Sequence, residues 1–219
     1  LYDVWRHRPA TRYGPGYWCI SPLGHTPQVT AGGTAIGTVD DASYFPRILH
    51  PLLRYVMAAP GLLGLLPDVA SCRYVTLRCL LDCPHLALIS VWHPSFLTLL
   101  MQTFDTHAER LLDDLAQGTC RPPLGNQPDD PSRQQAISQV LRRLSWRRAP
   151  QRAAVLRTVL RSAPVLPLTH LWPHLQLLSM WTDAQAQRFL GPVAEMVDER
   201  RLLYVAVTRA KRAAALVMF

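Results

Sequence analysis

Apolar residues recur at helical spacing over one long stretch of the chain, from Phe96 to Leu115. Intervals of three and four residues place such side chains on one face of a helix. Pro94 and Ser95 precede this stretch, and Ser95 is a residue type that caps a first turn. Gly118 follows it and suits the left-handed conformation at a helix end. We therefore predict a helix of about six turns from Ser95 to Gly118.

Shorter stretches with the same spacing predict further helices. Pro51 must kink the first of these or begin a second one, and Gly191-Pro192 interrupts the last. Their predicted limits are Tyr44–Ala58, Val69–Asp82, Ser132–Leu144, Pro150–Ser162 and Asp183–Met196.

Two continuous apolar runs, Leu86–Trp92 and Leu175–Trp181, have the length and β-branched content of buried strands. Residues 1–41, rich in Gly, Pro, Tyr and Trp, predict strands and loops, and Thr119–Pro131 predicts a surface loop. Strands that alternate with groups of helices indicate an α/β fold, in which helices flank a sheet of neighbouring strands.

The carboxyl ends of the strands in such folds are the usual place for a binding site. Trp92, His93 and Ser95 follow the first predicted strand, and Trp181 ends the second. A role for either tryptophan in a pocket competes with an equally good interpretation. Both indoles can be core aromatics whose ring nitrogens donate to a backbone carbonyl.

Composition supports a folded, water-soluble chain. Of its 219 residues, 49% are hydrophobic, but Pro60 and Pro67 interrupt the longest apolar stretch before it reaches membrane-spanning length. No secretory signal precedes the folded-looking sequence, so we expect a cytoplasmic protein without disulfides. Cys79 and Cys83, with His85 nearby, lack the second ligand pair that a structural zinc site needs, so no metal ligand is assigned.

The net charge of +8 is concentrated in one part of the chain. Eight arginines and no acidic residue occur between Ser132 and Arg161. Such a segment indicates either a solvated helix face or a surface that binds phosphate, and we favour the solvated face. The charge alone therefore does not indicate nucleic-acid binding.

Spacing alone identifies no catalytic residue. Neither Gly14-Pro15-Gly16 nor Thr30–Gly37 runs into the Lys-Ser or Lys-Thr of a phosphate-binding loop. His93 and Ser95 are two apart on a predicted extended segment, so we expect their side chains to point to opposite faces. Asp113 and Asp114 are adjacent on the long helix and are expected to face solvent.

Four segments, in order along the chain, carry a family resemblance: Tyr17–Pro22, Gly37–Phe45, Leu88–Leu100 and Leu171–Trp181. Together they resemble bacterial members of the auxin-responsive Gretchen Hagen family over about residues 1–196. The resemblance implies an adenylate-forming acyl acid amido synthetase. Such an enzyme uses ATP and Mg to activate a carboxylic acid as an acyl-adenylate, and an amine then displaces AMP.

The same resemblance implies that residues 1–196 are a part of the family's large α/β domain. The family's Ser/Thr/Gly-rich phosphate loop would precede Leu1, and its Thr-Glu and Gly-Asp motifs would follow Met196. We therefore expect a fragment that is inactive alone and binds neither ATP nor Mg. No catalytic residue maps onto a position of this sequence.

An acyl pocket needs aromatic and aliphatic walls with few polar groups. The segment Ser90–Leu97 offers that mixture, at the end of the first predicted strand. We therefore predict that Trp92 and Phe96 bind the carboxylic acid.

The C-terminal tail resembles a different protein family. Asp198–Lys211 is similar to the last conserved motif of UvrD/Rep-type superfamily I helicases, and the apolar Ala213–Phe219 suits the strand after it. The resemblance implies that Arg209 would reach a nucleotide phosphate, as a guanidinium does in phosphoryl transfer. We predict a separate helix-strand tail over residues 197–219, joined to the first part near Met196. The alternative function is thus an ATP-dependent DNA helicase fragment, and only that alternative implies a nucleic-acid partner.

Overall fold

The computed structural model describes residues 6, 9–20, 28–29, 35–36, 56–123, 130–162, 167–180, 186–197, 203–206 and 215–217. Its strands, in chain order, are β1 (Gly16–Trp18), β2 (Gln28–Val29), β3 (Ala35–Ile36), β4 (Leu88–Ser90), β5 (Leu177–Met180), β6 (Leu203–Ala206) and β7 (Ala215–Val217). Its α-helices are α1 (Val69–Leu81), α2 (Pro94–Gln117), α3 (Pro131–Arg142), α4 (Pro150–Ser162), α5 (Leu168–Leu171) and α6 (Leu190–Glu195). Short 3₁₀ helices span Pro9–Tyr13, Gly61–Leu65 and Ala186–Phe189.

The strands form a mostly parallel sheet in the order β1-β4-β5-β6-β7, while β2 and β3 pair separately. Leu88 of β4 is in register with Gly16 of β1 on one side and Leu177 of β5 on the other. Both β1–β4 and β4–β5 are parallel pairs, and β7 alone among these five strands runs antiparallel to its neighbour. The predicted α/β fold, with neighbouring strands flanked by helices, is confirmed.

Alternation along the strands gives the sheet two different faces. Tyr17, Ile89 and Leu178 lie on one face and belong to the main core, together with residues of the helices. On the opposite face, Leu88 and Leu177 form a small second cluster against Trp18. Helix α2 packs against both α1 and α4 in the main core.

A close backbone approach aligns β1 with β4. The amide of Ala87 donates to the carbonyl of Pro15 at 2.9 Å. A Cβ at Gly14 would lie only 2.0 Å from the carbonyl oxygen of His85. Glycine is therefore required at position 14, because any side chain would push the β1 segment away from β4.

Most predicted helices occur close to their predicted limits. The long helix α2 and helices α1, α3 and α4 are confirmed, although His93 rather than Ser95 is the N-cap of α2. The predicted helix 183–196 is instead a 3₁₀ turn followed by α6, and Gly191 and Pro192 lie inside α6. Almost all of the predicted helix 44–58 lies outside the described residues.

The tail differs in part from its prediction. Residues Leu203–Ala206 form strand β6 rather than a helix, and β6 pairs in parallel with β5. Pairing with β6 satisfies the backbone groups on the edge of β5 that faces away from β4. A helix in place of β6 would leave those backbone groups of β5 unpaired. Strand β7 lies within the predicted strand 213–219. The boundary at residue 196 remains a prediction.

A buried carboxylate, Asp114, ties the end of α2 to its surroundings. Its side chain accepts hydrogen bonds from Tyr74 Oη at 2.8 Å, from Thr119 Oγ1 at 2.7 Å and from the backbone amide of Arg121 at 2.6 Å. The Arg121 guanidinium adds an ion pair at 2.7 Å. The prediction that both neighbouring aspartates face solvent is thus wrong for Asp114, which is fully buried.

Arg78 is the second buried charged group. Its Nε donates to the carbonyl of Thr119 and its Nη2 to that of Arg147, each at 3.0 Å. The guanidinium carbon also lies 5.4 Å from the centroid of the Trp146 ring. One buried side chain of α1 therefore fixes the loops that follow α2 and α3.

Seven of the eight arginines in the arginine-rich segment fall into two groups, and the eighth, Arg152, is half-buried and donates to the carbonyl of Leu171. Some of the seven join the helices to acidic residues elsewhere, and others are exposed, as the solvated-face interpretation predicted. The joined pairs are Arg133 with Asp68, Arg147 with Asp82, and Arg157 with Glu109 and Asp113; the exposed residues are Arg142, Arg143, Arg148 and Arg161.

Within the described part of the chain, every helix is too short or too polar to span a membrane.

Candidate functional site: an apolar cleft at the ends of two strands

A cleft of about 340 Å³ opens at the carboxyl ends of β1 and β4. The binding-site position predicted for this class of fold therefore carries an opening. Its lining residues are Tyr17, Cys19, Ile20, Val69, Cys72, Arg73, Thr76, Val91, Phe96 and Leu100.

Two helices and two strand ends supply this lining. Tyr17 belongs to β1, and Val91 follows β4. Helix α1 contributes residues at positions i, i+3, i+4 and i+7, which is one helical face from Val69 to Thr76. Helix α2 contributes Phe96 and Leu100 from its first two turns. Both helices begin beside the cleft, because their N-termini meet the carboxyl edge of the sheet.

Burial keeps two ionisable groups of the cleft lining uncharged, the Tyr17 phenol of β1 and the Cys72 thiol of α1. It raises the pKa of Tyr17 well above its usual value, and the nearby Cys19 and Cys72 raise it further. Burial likewise raises the pKa of Cys72 to about 12. At neutral pH the cleft lining therefore carries this phenol and this thiol in their neutral forms. Arg73 is the charged residue among the described lining residues.

The two predicted acid-binding residues differ in their positions. Phe96 lines the cleft and is 38% exposed. Trp92, on the segment between β4 and α2, is 51% exposed and is not one of the residues that line the cleft. The other candidate tryptophan, Trp181, and the tail residue Arg209 lie outside the described residues.

His93 and Ser95 are close together, contrary to the expectation that they point apart. The Nδ1 atom of His93 lies 2.8 Å from Ser95 Oγ and accepts the Ser95 amide at 3.2 Å. This geometry caps the first turn of α2, and the prediction failed because the helix already begins at Pro94. The imidazole also contacts the Phe189 ring edge-on, with a 5.0 Å centroid separation.

The described residues offer no obvious donor set for Mg or another metal. In those ranges no three His, Cys, Asp or Glu side chains come together as a metal site requires. The cleft lining contains no carboxylate, which is the donor that Mg prefers. Burial raises the pKa of Cys79 to about 12, so its thiol is protonated rather than poised as a ligand. The described residues therefore do not fit a resident Mg–nucleotide complex.

Sequence reasoning did not identify the contribution of α1 to the cleft. The cleft-lining face of α1 mixes apolar and polar side chains, and the helix is buried on most sides. That face consists of Val69, Cys72, Arg73 and Thr76. No amphipathic stripe distinguishes the cleft-lining face, so periodicity had no signal there. The available signal was Arg73, a charged residue near the start of a mostly apolar helix.

The family model that matches the chain is the GH3 family N-terminal domain, over residues 6–201. The match covers most of the 219 residues. The chain belongs to the GH3 family, as its resemblance to the Gretchen Hagen proteins implied. Among proteins of curated function, none matches the chain.

Solved structures support the fold. The chain is similar to a GH3.15 acyl acid amido synthetase, with a TM-score of 0.64 and 14% identity, over 95% of this chain and 35% of that one. A second similar structure is the AtGH3.15 acyl acid amido synthetase in complex with 2,4-DB, with a TM-score of 0.65 and 14% identity. That match covers 92% of this chain and 34% of the other. The chain thus spans about a third of the length of these relatives.

Proposed function

We propose that this chain is the acid-binding part of an acyl acid amido synthetase. The complete reaction activates a carboxylic acid with ATP as an acyl-adenylate and joins it to an amine. A carboxylate is a poor electrophile until one oxygen is part of a good leaving group, so a part that only binds and orients the acid still has a defined task.

The cleft at the carboxyl ends of β1 and β4 carries this proposal. Its walls are mainly aromatic and aliphatic side chains, and its volume of about 340 Å³ suits a single-ring acid with a short chain. The GH3.15 structure with 2,4-DB adds support, because that relative was solved with this acid bound.

Phe96 is proposed to contact the apolar body of the acid from α2. Trp92 is proposed to cover the acid from the adjoining segment, where half of its side chain is exposed. Such an exposed indole has apolar surface available for a ligand.

The cofactors of the complete reaction are proposed to be ATP and Mg, and its second substrate an amine. The ATP-handling motifs that the resemblance implies match no segment of the 219 residues. We therefore propose that the chain alone neither binds the nucleotide nor forms an acyl-adenylate. A cytoplasmic location is proposed, because ATP is abundant there and thiols remain reduced.

The first experiment measures binding of 2,4-DB to the purified chain by isothermal titration calorimetry. We expect measurable binding, weakened about tenfold by Phe96→Ala because an aromatic wall is lost. Phe189→Ala is the matched control, since Phe189 is 37% exposed and does not line the cleft. Absence of binding by the unmodified chain would contradict the proposal.

The second experiment tests inactivity directly. We expect no ATP–pyrophosphate exchange above background when the chain is incubated with ATP, Mg and 2,4-DB. A clear acid-dependent exchange would show that these residues activate acids without partners, and that part of the proposal would be abandoned.

The helicase alternative gains no support from the described residues. The family match extends to residue 201, and β6 continues the same sheet as β5. The role of Arg209 remains a prediction.

A further inference from the structure

We infer that His85 and His174 form a chelating site for a divalent transition-metal ion of the Zn²⁺ or Ni²⁺ type, with water completing the coordination. The two histidines lie in the turns that precede β4 and β5, at the amino ends of these strands, whereas the cleft opens at the carboxyl ends. The inference therefore goes beyond the proposed function and does not depend on it.

A short segment occurs twice in the sequence, once at the entry to each of these strands. Pro84–Ser90 reads Pro-His-Leu-Ala-Leu-Ile-Ser, and Pro173–Ser179 reads Pro-His-Leu-Gln-Leu-Leu-Ser. The two copies differ only at their fourth and sixth positions. Equivalent sequences that lead into neighbouring parallel strands place the two histidines at equivalent backbone positions.

Both copies fold into the same hydrogen-bonded turn, with proline and histidine as its two central residues. The amide of Leu86 donates to the carbonyl of Cys83 at 3.3 Å, and the amide of Leu175 donates to the carbonyl of Trp172 at 2.9 Å. Proline is favoured at the first central position of such a turn because its φ is already set. Each imidazole is thus carried by a tight turn rather than by a long loop.

The register of the strands brings the two turns side by side. Leu88 of β4 is in register with Leu177 of β5, and each histidine precedes its leucine by three residues. The carbonyl of Ala87 accepts the amides of Gln176 at 2.9 Å and Leu177 at 3.2 Å, so the pairing extends back towards the turns. Parallel pairing therefore holds the two imidazoles next to each other.

The separation of the two rings matches a chelate. Their centroids lie 4.8 Å apart, and the ring planes are inclined by 55°. An ion about 2.0–2.1 Å from one nitrogen of each ring lies about 3.2 Å from each centroid, which places the centroids about 4.5–5.2 Å apart for coordination angles of about 90–109°. The observed separation falls inside this range, so one ion can be held by both rings with little rearrangement.

Both imidazoles are available to an ion of this class. His85 and His174 are exposed, and within the described ranges neither ring takes part in a hydrogen bond or an ion pair. Imidazole is a preferred ligand of Zn²⁺ and Ni²⁺. Asp82, the acidic residue just before the first turn, already pairs with Arg147 at 3.2 Å. Mg²⁺ and Ca²⁺, which prefer carboxylate oxygens, are therefore disfavoured.

The number of protein ligands sets the role of the ion. Two imidazoles are fewer than the three or four protein ligands of a catalytic or structural zinc site, and in the described part of the chain no third such side chain joins them. The ion is therefore exchangeable, and its effect is to cross-link the turns that enter β4 and β5. Because the histidines meet only when these strands are paired, binding favours the folded chain.

The test titrates NiCl₂ by calorimetry into the chain without an affinity tag. Ni²⁺ is the probe because imidazole suits it, whereas Zn²⁺ is also taken by thiolates. The variants are His85→Gln, His174→Gln and the two combined. His170→Gln is the matched control, since His170 is exposed on α5 and its ring contacts no other aromatic ring among the described residues. A second measurement locates the imidazoles that diethyl pyrocarbonate modifies, by peptide mass spectrometry.

We expect each single variant to weaken Ni²⁺ binding about tenfold, because the second imidazole of a chelate acts at a high effective concentration. The combined variant should add little further loss, since one remaining imidazole no longer chelates. His170→Gln should leave the affinity unchanged. Ni²⁺ should protect His85 and His174 from modification at the same concentration and leave His170 reactive, and Mg²⁺ should protect none of them.

Independent histidines would behave differently. Each single variant would then remove one weak site without changing the affinity of the other, and the losses would add in the combined variant; that result overturns the inference. Failure of Ni²⁺ to protect the pair in the unmodified chain overturns it as well, and this measurement decides even if a variant does not fold. None of these outcomes bears on the acid-binding cleft, which is tested with a different probe and different residues.

Discussion

Replacement of Asp114 by alanine should destabilise the chain far more than the same replacement of its neighbour Asp113. The Asp114 carboxylate is fully buried and accepts hydrogen bonds from Tyr74, Thr119 and the backbone of Arg121. Asp113 is 54% exposed and pairs only with the partly exposed Arg157 among the described residues. The two adjacent positions therefore compare a buried acceptor with a surface ion pair on one helix.

The magnitude follows from the donors left behind. The Tyr74 side chain is fully buried, and its unpaired hydroxyl would cost about 1–3 kcal/mol. The Thr119 hydroxyl and the Arg121 amide are partly accessible to water, and each would lose about 0.5–1.5 kcal/mol. Asp114→Ala should therefore lower the free energy of unfolding by about 3 kcal/mol, whereas Asp113→Ala should lower it by less than about 1 kcal/mol.

Urea denaturation followed by circular dichroism at pH 7 measures both variants. A further experiment repeats the denaturation at several pH values, because the pKa of Asp114 is lowered in the folded chain. Burial, the largest single influence, raises that pKa, but the hydrogen bonds from Thr119, Arg121 and Tyr74 together outweigh it. A lowered folded pKa contributes stability above the unfolded value of about 3.9, and this stability is lost as the pH falls through the folded pKa.

The difference between Asp114→Asn and the unmodified chain should accordingly be largest at neutral pH and shrink below about pH 4. If Asp114→Ala costs no more than Asp113→Ala at pH 7, then this network does not stabilise the fold and the reasoning is refuted.

Two further stability predictions concern backbone conformation and a buried cation. Gly118 has φ +70°, and a Cβ there would lie 3.1 Å from the backbone of Arg148, so Gly118→Ala should cost about 1–2 kcal/mol. Gly191→Ala is its control, because a Cβ there meets nothing within 4 Å. Thermal unfolding measures both variants, and equal melting temperatures would contradict the reasoning. Arg78→Met should cost about 1–3 kcal/mol, because the carbonyls of Thr119 and Arg147 both lose a donor that is charged and fully buried. Urea denaturation checks this, and an unchanged midpoint would show that those carbonyls find water instead.

The sequence predicted the layers of this fold well where the apolar pattern was unambiguous. Helix α2 has a strong apolar stripe, and the strands β4 and β5 are continuous apolar runs, so periodicity and length identified them. The predicted limits of the helices were less accurate than their existence. The start of α2 depends on the cap at His93 rather than on the apolar stripe. The strand β6 was predicted as a helix, since only its pairing with β5 decides its conformation.

Much of the candidate site depends on contacts that no local pattern encodes. Phe96 was predicted from its place after a strand, and the structure puts it in the cleft. The facing wall comes from α1, whose contribution follows from tertiary packing alone. Likewise Asp114 resembles its exposed neighbour in the sequence, and only the positions of Tyr74 and Thr119 make it a buried acceptor.

The strand order has a consequence for synthesis on the ribosome. Leu88 of β4 pairs with Gly16 on one side and with Leu177 on the other, so its second partner is translated long after the first. Until β5 emerges, β4 has an open edge of unpaired backbone groups, which is a template for pairing with another nascent chain. Contacts so distant along the chain also slow folding. We therefore expect the yield of folded chain to depend on chaperones that shield this edge until β5 is complete.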